Sequence, residues 1–348
     1  MCLPTLRKVP QTPDGEESGD AIPWASGGSM KHIAIDCSPP RGRTRWGLLL
    51  LSVFSLTNAA CAHIMVDQTA SLMIKTAPVI EMEEDPVLAE AATLSNLKTI
   101  EGMLLISPRN ESLLMMATKS FAGYGAAFVE PAWSLRNDYF SDDYLYTQKR
   151  LQGLYRRSRD MGLRWIDLRH PEIARLLRAQ RKDAWVDELP EALAKLGPRD
   201  VPALFWTAQA WGLLIRVDDE NLMEMSNTSK IEIMMRRVYE LDPDYDFGAV
   251  HLFFGMRHTS LGKELGGNLH EAKRHFEDAI AVTDGRYLTA RFLYARDYCR
   301  AIQDRECFVR RLEEVANSDP DLFPEQRLAN TLATIWARQW LARVDDFF

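Results

Sequence analysis

The sequence predicts an all-α protein, and three observations carry that expectation. Residues 201–216, VPALFWTAQAWGLLIR, lie between Asp200 and Asp218 and are apolar on every side. A helix apolar all round is either a buried helix or a membrane span, and about sixteen residues fall short of the roughly 20 a span needs. From about residue 84 onward apolar residues recur at helical spacing, and no stretch alternates with the period of two that marks a strand. Hairpin turns between β-branched runs are missing too, since the one Asp-Gly pair, Asp284-Gly285, separates two helical patterns.

Composition narrows the function classes. The 348 residues carry a formal net charge of −7, which gives no basic footprint for nucleic acid. None of the five cysteines, Cys2, Cys37, Cys61, Cys299 and Cys307, forms a CxxC pair, so zinc ribbons and thioredoxin-like motifs are excluded. Cys299 and Cys307 stand eight apart across a helix–turn–helix, as two free buried thiols or as a disulfide in an oxidising compartment.

The N-terminus reads as an address. Residues 1–29 show no apolar period and are expected to be disordered or an upstream extension. From Met30 follow a basic region with Lys31, Arg41, Arg43 and Arg45, an apolar block WGLLLLSVFSLT at 46–57, and Asn58-Ala59-Ala60-Cys61. This is the layout of a secretory signal, too short to span a membrane. A cysteine directly after two alanines resembles the lipobox of bacterial lipoproteins, with Asn58 where leucine is preferred. Cys61 is thus the expected lipid-attachment site and mature N-terminus; cleavage near Ala60 as an ordinary signal is the alternative. The expected organisation is an extension at 1–29, a signal at 30–60, a tether with little helical pattern at 61–84, and a helical domain at 85–348.

Within that domain, 86–106 carries Leu88, Ala91, Leu94, Leu97, Ile100 and Leu104, and Ser107-Pro108-Arg109-Asn110 ends it. Residues 111–129 are apolar on most faces and hold Ala122, Gly123, Gly125 and Ala126. Glycine in a helix costs about 1 kcal/mol against alanine, so a close helix–helix approach is expected there. Residues 144–163 include a basic run, Arg156-Arg157-Ser158-Arg159, which reads as a solvated face. Shorter helices follow, then the apolar helix begun by Asp200 and Pro202. Helices are expected over 223–241, 247–256, 269–282, 287–301, 305–317 and 324–344, with a Gly-rich loop at 258–268.

A degenerate repeat runs through this order. Counting back from Pro320 as position 32 of a tetratricopeptide repeat puts Val315, Leu312, Phe308, Cys299, Ala295 and Phe292 at small or apolar consensus positions. Ala272, Phe276 and Ala279 fit the preceding repeat, and Pro243 ends another. The expected architecture is therefore a tetratricopeptide-like α-solenoid; a generic helical bundle is the alternative.

Catalytic patterns are missing: no G-x-S-x-G elbow, Walker A loop or Rossmann turn occurs, so an enzyme is not expected. No cofactor is implied. His251, His258, His270 and His275 cluster in sequence, but a helix end is expected between the first two and no acidic partner is fixed, so no metal site is expected. Trp206 and Trp211 are five apart and diverge by roughly 140° around a helix, so both cannot serve one small contact; one packs in the core while the other faces a neighbouring cavity, or each is core packing. Asn330 lies mid-helix among alanines and leucines, as a clasp to a loop carbonyl or a polar group in a cavity.

Six blocks in fixed order resemble the T-component of TRAP transporters, the TatT-like periplasmic lipoproteins. They are LLISPRNESLLMMATKSFAGYGAAFVE (104–130), LYRRSRDMG (154–162), DVPALFWTAQAWGLLI (200–215), RRVYELDPDYDFGAVHLFFG (236–255), LGGNLHEAKRHFEDAI (265–280) and PEQRLANTLATIWARQWLARVDDFF (324–348). The resemblance implies a trimer, association with the solute-binding protein of a tripartite ATP-independent periplasmic transporter, and a channel for a small hydrophobic or carboxylate ligand. Trp206, Trp211, Phe205, Tyr124 and Asn330 are the candidates to line it. A membrane contact is expected through the lipid alone, at the outer membrane. The alternative function is a repeat scaffold for protein partners in the envelope.

Overall fold

A computed structural model describes residues 62–348; the extension, the signal and Cys61 lie outside the described residues. All regular structure among the described residues is helical. Helix α1 covers residues 62–76 and α2 Pro78–Glu81, so the segment expected to lack helical pattern is helical. It is also packed: Ala70 is fully buried, and the Asp67 carboxylate accepts from Ser107 Oγ (3.0 Å) and Asn110 Nδ2 (2.5 Å). Helix α3 is Pro86–Ile106 and α4 Glu111–Tyr124. Both starts are capped as their sequences suggest. The Asp85 carboxylate accepts from the amides of Val87 and Leu88, and Asn110 accepts from that of Leu113.

The long helix expected over 111–129 does not run through as α-helix. A π-helical turn, Gly125–Val129, follows α4 and leads into α5, Glu130–Ser134. Gly125 opens that turn. A Cβ there would come 2.6 Å from the Tyr155 ring, so the small residue admits a neighbouring helix, as anticipated. That neighbour is α6, Asp142–Arg169. Helices α7 (Pro171–Arg178) and α8 (Glu188–Ala194) lead to α9, Val201–Val217.

Helix α9 is the centre of the molecule, as its sequence requires. Ala210, Leu213, Leu214 and Val217 pack into one core with α3, α4 and α6; Val201, Leu204, Phe205, Ala208 and Trp211 pack into a second with α7, α8 and α11. Helices α6 and α9 approach so closely that a Cβ on Gly162 would stand 2.3 Å from Thr207 Oγ1. One expectation about its start fails. Asp200 does not cap α9; its carboxylate instead accepts from the Gly197 amide (3.1 Å) and pairs with His170 Nε2 (2.9 Å).

After α10 (Leu222–Met225) and α11 (Thr228–Leu241), α12 runs Tyr245–Ser260, two residues beyond the expected stretch 247–256 at its near end and four at its far end. His251 and His258 therefore share one helix. Helices α13 (Leu269–Ala281), α14 (Leu288–Leu293), α15 (Arg305–Ala316) and α16 (Arg327–Leu341) complete the chain, with a second π-helical turn at Tyr294–Cys299. Cys299 and Cys307 are joined as a disulfide. The core of this half gathers Phe276, Phe292, Phe308, Leu312 and Trp340. The final helix returns to the beginning: Leu328 and Leu332 pack on Ala89 and Ile80, and Gln326 Nε2 donates to Glu81 (3.2 Å). No described helix is long and apolar enough to cross a membrane.

Candidate functional site

The first turn of α12 is the least ordinary stretch of backbone among the described residues. Asp246, Phe247 and Gly248 have φ of 51°, 61° and 77°, three consecutive residues in the left-handed region. Each non-glycine residue there costs roughly 1–2 kcal/mol, and such strain persists only where the surroundings enforce it. Gly248 is required twice over, by its φ and because a Cβ would meet Ala279 Cα at 3.1 Å. What the strain achieves is placement of Tyr245, Asp246 and Phe247 beside residues of four other segments.

Those neighbours form an aromatic and charged wall. Trp206 Nε1 donates to the Tyr245 hydroxyl (3.2 Å), and Phe205 meets both rings edge-on at 5.2 and 5.3 Å. Lys119 Nζ lies 5.0 Å from the centre of the Trp206 ring. Phe247 packs on Tyr287 (5.3 Å) and Phe323 (5.2 Å), and the Arg286 guanidinium covers Phe323 (5.0 Å). Asp246 is held above the usual carboxylate range by burial, against the pull of Lys119 and with a push from Glu81. Burial raises the Tyr245 and Tyr287 hydroxyls as well, with the Asp246 charge adding to both.

Arg216 stands in the last turn of α9, ten residues beyond Trp206. Its side chain is 42% exposed, yet loss of bulk water is the largest influence on its charge. Glu130, Tyr155 and Asp297 hold the guanidinium above the ordinary arginine value in spite of that. Glu130 is itself buried, bound to Arg216 and to the Tyr155 hydroxyl, and follows directly on the first π turn; Asp297 sits inside the second. Wide π turns recur at functional positions; here one leads into Glu130, which pairs with Arg216, and the other holds Asp297, which pairs with Arg296 and acts on Arg216 through its charge. Trp206, Tyr245, Asp246, Phe247 and Tyr287 are neither buried nor fully exposed, and they make the recessed face of the aromatic wall.

The opposite side of α9 is closed. Trp211 is 4% exposed, donates from Nε1 to Glu224 (2.9 Å) and lies between Arg159 and Lys230. Lys230 is almost wholly buried, and its ammonium donates to Leu177 O (2.8 Å), Ala179 O (2.5 Å) and Asn227 Oδ1 (3.0 Å). Burial lowers it to about 8, so at pH 7 it remains an ammonium.

Of the residues the sequence offered as lining, only Trp206 stands in the recess. Trp211 and Phe205 are core. Tyr124 is buried at its ring, donates to Glu90 Oε1 (3.1 Å) and accepts from Arg150. Asn330 is the clasp and not a cavity group: it is fully buried, accepts from the Leu288 amide (2.8 Å) and donates to Arg286 O (3.0 Å) and Pro320 O (3.1 Å), leaving nothing for a ligand. The basic run is solvated at Arg156 and Arg157, as expected, while Ser158 is buried on Thr118 O and Arg159 pairs with Glu224. A small, partly open cavity of about 10 Å³, room for one water, borders Arg169, His170, Asp200 and Leu204, and an open groove of about 470 Å³ runs along Arg305, Val309 and Arg310; neither reaches Trp206. Sequence reading missed Lys119, Arg216, Asp246 and Tyr287. Only the turn-forming run Asp242-Pro243-Asp244-Tyr245-Asp246-Phe247-Gly248 hinted at them, through its crowding of aspartates before a glycine.

The profile of one protein family, described as the TRAP transporter T-component, matches residues 82–348, nearly all of the described chain. The chain belongs to the TRAP transporter T-component family. It is also similar to an uncharacterised protein of Treponema pallidum (strain Nichols), 24% identical over 272 residues, which is 78% of this chain and 82% of the relative. The T-component is a transport-associated part of that system, and the recess at Trp206 lies wholly within the matched region.

Proposed function

We propose that this T-component is a non-catalytic envelope lipoprotein, anchored through Cys61 on the periplasmic side of the outer membrane, that passes a small ligand to or from the solute-binding protein of a TRAP transporter. The observation that carries the reading is the strained segment Asp246–Gly248 facing Trp206 and Lys119 in a recess. Strain of that kind is retained where geometry serves a site. Its aromatic walls, Trp206, Tyr245, Phe247 and Tyr287, suit an apolar ligand body, and Lys119 suits a carboxylate end. The neighbouring helix pairs α12/α13 and α15/α16 support a tetratricopeptide-like reading of the scaffold, and family membership supports assembly as a trimer.

Co-purification from the native envelope tests this directly. The solute-binding protein should be recovered with the wild type, and native mass spectrometry of the complex should find a trimer with a small organic molecule retained. Wild-type protein that never recovers a binding protein, or a ligand-free monomer, would defeat the reading.

A further inference from the structure

We propose that His251, His275 and Asp278 form a binding site for a divalent transition-metal ion of the Zn²⁺ class, bridging α12 and α13. His275 and Asp278 are i and i+3 on α13 and so share a face, and His251 meets them from α12. His251 Nδ1 is 3.1 Å from His275 Nδ1 and 3.7 Å from Asp278 Oδ2, and the three donor atoms all lie within 4.8 Å of one another. Tetrahedral bonds of about 2.0–2.1 Å put ligand atoms about 3.3 Å apart, so small side-chain rotations reach that geometry. Two imidazole nitrogens of the same kind pointed at each other hold one proton between them at most; an ion would use both lone pairs.

The surroundings fit an imidazole-rich site. Both histidines are buried, packed by Tyr239 and Phe254, so their rings are fixed before an ion arrives. Asp278 is 41% exposed at its side chain and opens the site to solvent. Arg274 is the competing cation: it reaches Asp278 Oδ2 (3.1 Å) and His275 Nε2 (3.4 Å), and a bound metal would leave it to Glu271, which it already meets at 2.7 Å. His258, stacked on His275 at 6.0 Å with Nδ1 enclosed and lacking a partner, is the nearest further imidazole. With three protein ligands the fourth position belongs to water. Imidazole donors select zinc, cobalt, nickel and copper over magnesium and calcium.

Cobalt titration of the chelator-treated full-length protein reads the site by a signal that surface histidines do not give. One equivalent of Co²⁺ should produce the intense visible bands of four-coordinate cobalt, and Zn²⁺ should bleach them while Mg²⁺ does not. Loss of an outer-sphere partner costs 10–100-fold in affinity, so His251→Ala and the near-isosteric Asp278→Asn should each weaken binding by more than about 100-fold. His270→Ala, at an exposed histidine outside the triad, should leave it unchanged. Circular dichroism reports whether each variant is folded. The proposal is overturned if the wild type gives no such bands, or if folded Asp278→Asn binds cobalt as the wild type does.

Discussion

On one face of α9, Trp211 covers a lysine whose three donors are all used; on the other, Trp206 borders an aspartate on strained backbone, held away from water with a lysine for counter-charge. The two tryptophans are five residues apart on a single helix. Around Trp211 the buried polar groups are satisfied, which is how a protein makes a rigid centre. Around Trp206 charge and strain are left partly uncompensated, which destabilises the fold and is worth keeping only where something else is to be met there. The contrast separates what holds the molecule together from what it offers. It also says which substitutions should hurt stability and which should hurt partnership.

The largest effect is expected at Lys230. Lys230→Met keeps the length of the stem between Trp185 and Trp211 but leaves the carbonyls of Leu177 and Ala179 and the Asn227 amide oxygen without their donor. Stranded buried acceptors cost roughly 1–3 kcal/mol each when no water replaces the donor, so a loss of about 3 kcal/mol in urea unfolding at pH 7 is expected. A cost below about 1 kcal/mol would mean that the closed face is organised by its apolar contacts and that the ammonium is incidental.

Gly162→Ala comes next and acts on the same face. The new Cβ would lie 2.3 Å from Thr207 Oγ1 and 3.1 Å from Thr207 Cα, so rotating the threonine does not clear it and α6 must move from α9. Overpacking of this kind costs about 2 kcal/mol, even with the helix preference of alanine in its favour. Thermal unfolding of the two proteins side by side measures it.

The closed face was largely legible in the sequence and the recess was not. Residues 201–216 declared a central helix because apolar side chains cannot all face water, and the divergence of Trp206 from Trp211 follows from helix geometry alone. Gly125 announced a close approach because a glycine inside a helix needs a reason. Hidden were the features made by chain segments distant in sequence: Arg216 meets Glu130 from the start of α5, and His251 meets Asp278 only because α12 packs along α13. Asn330 was open between two roles until its three hydrogen-bond partners, two of them loop carbonyls, were in place. The described part of the segment expected as a tether, 62–84, was misjudged for a related reason. Its helices need little pattern of their own, since Asp67 and Ala70 anchor them to the next helices.

A smaller stability effect is expected on the recessed face. Trp206→Phe keeps an aromatic ring and loses one hydrogen bond to Tyr245, a change of about 1 kcal/mol. Recovery of the solute-binding protein or its ligand should fall much more than that figure suggests. Equal losses in stability and in recovery would make Trp206 another core residue and erase the contrast with Trp211.

The smallest effect has the opposite sign. Because the folded chain holds the Asp246 carboxyl above its unfolded value of 3.8, the native state binds that proton more tightly than the unfolded state does. The wild type is therefore favoured at pH below that value, and it loses this advantage as pH rises through the folded pKa and the carboxylate forms in the recess. Asp246→Asn carries no charge to bury and keeps a residue type that accepts positive φ. At pH 7 the variant should melt slightly higher than the wild type, and the gap should close as pH is lowered toward 3.8. Melting curves over that range decide it. A variant less stable than wild type at pH 7 would mean that the carboxylate is fully paired by Lys119, and the Trp206 face would then be as closed as the other.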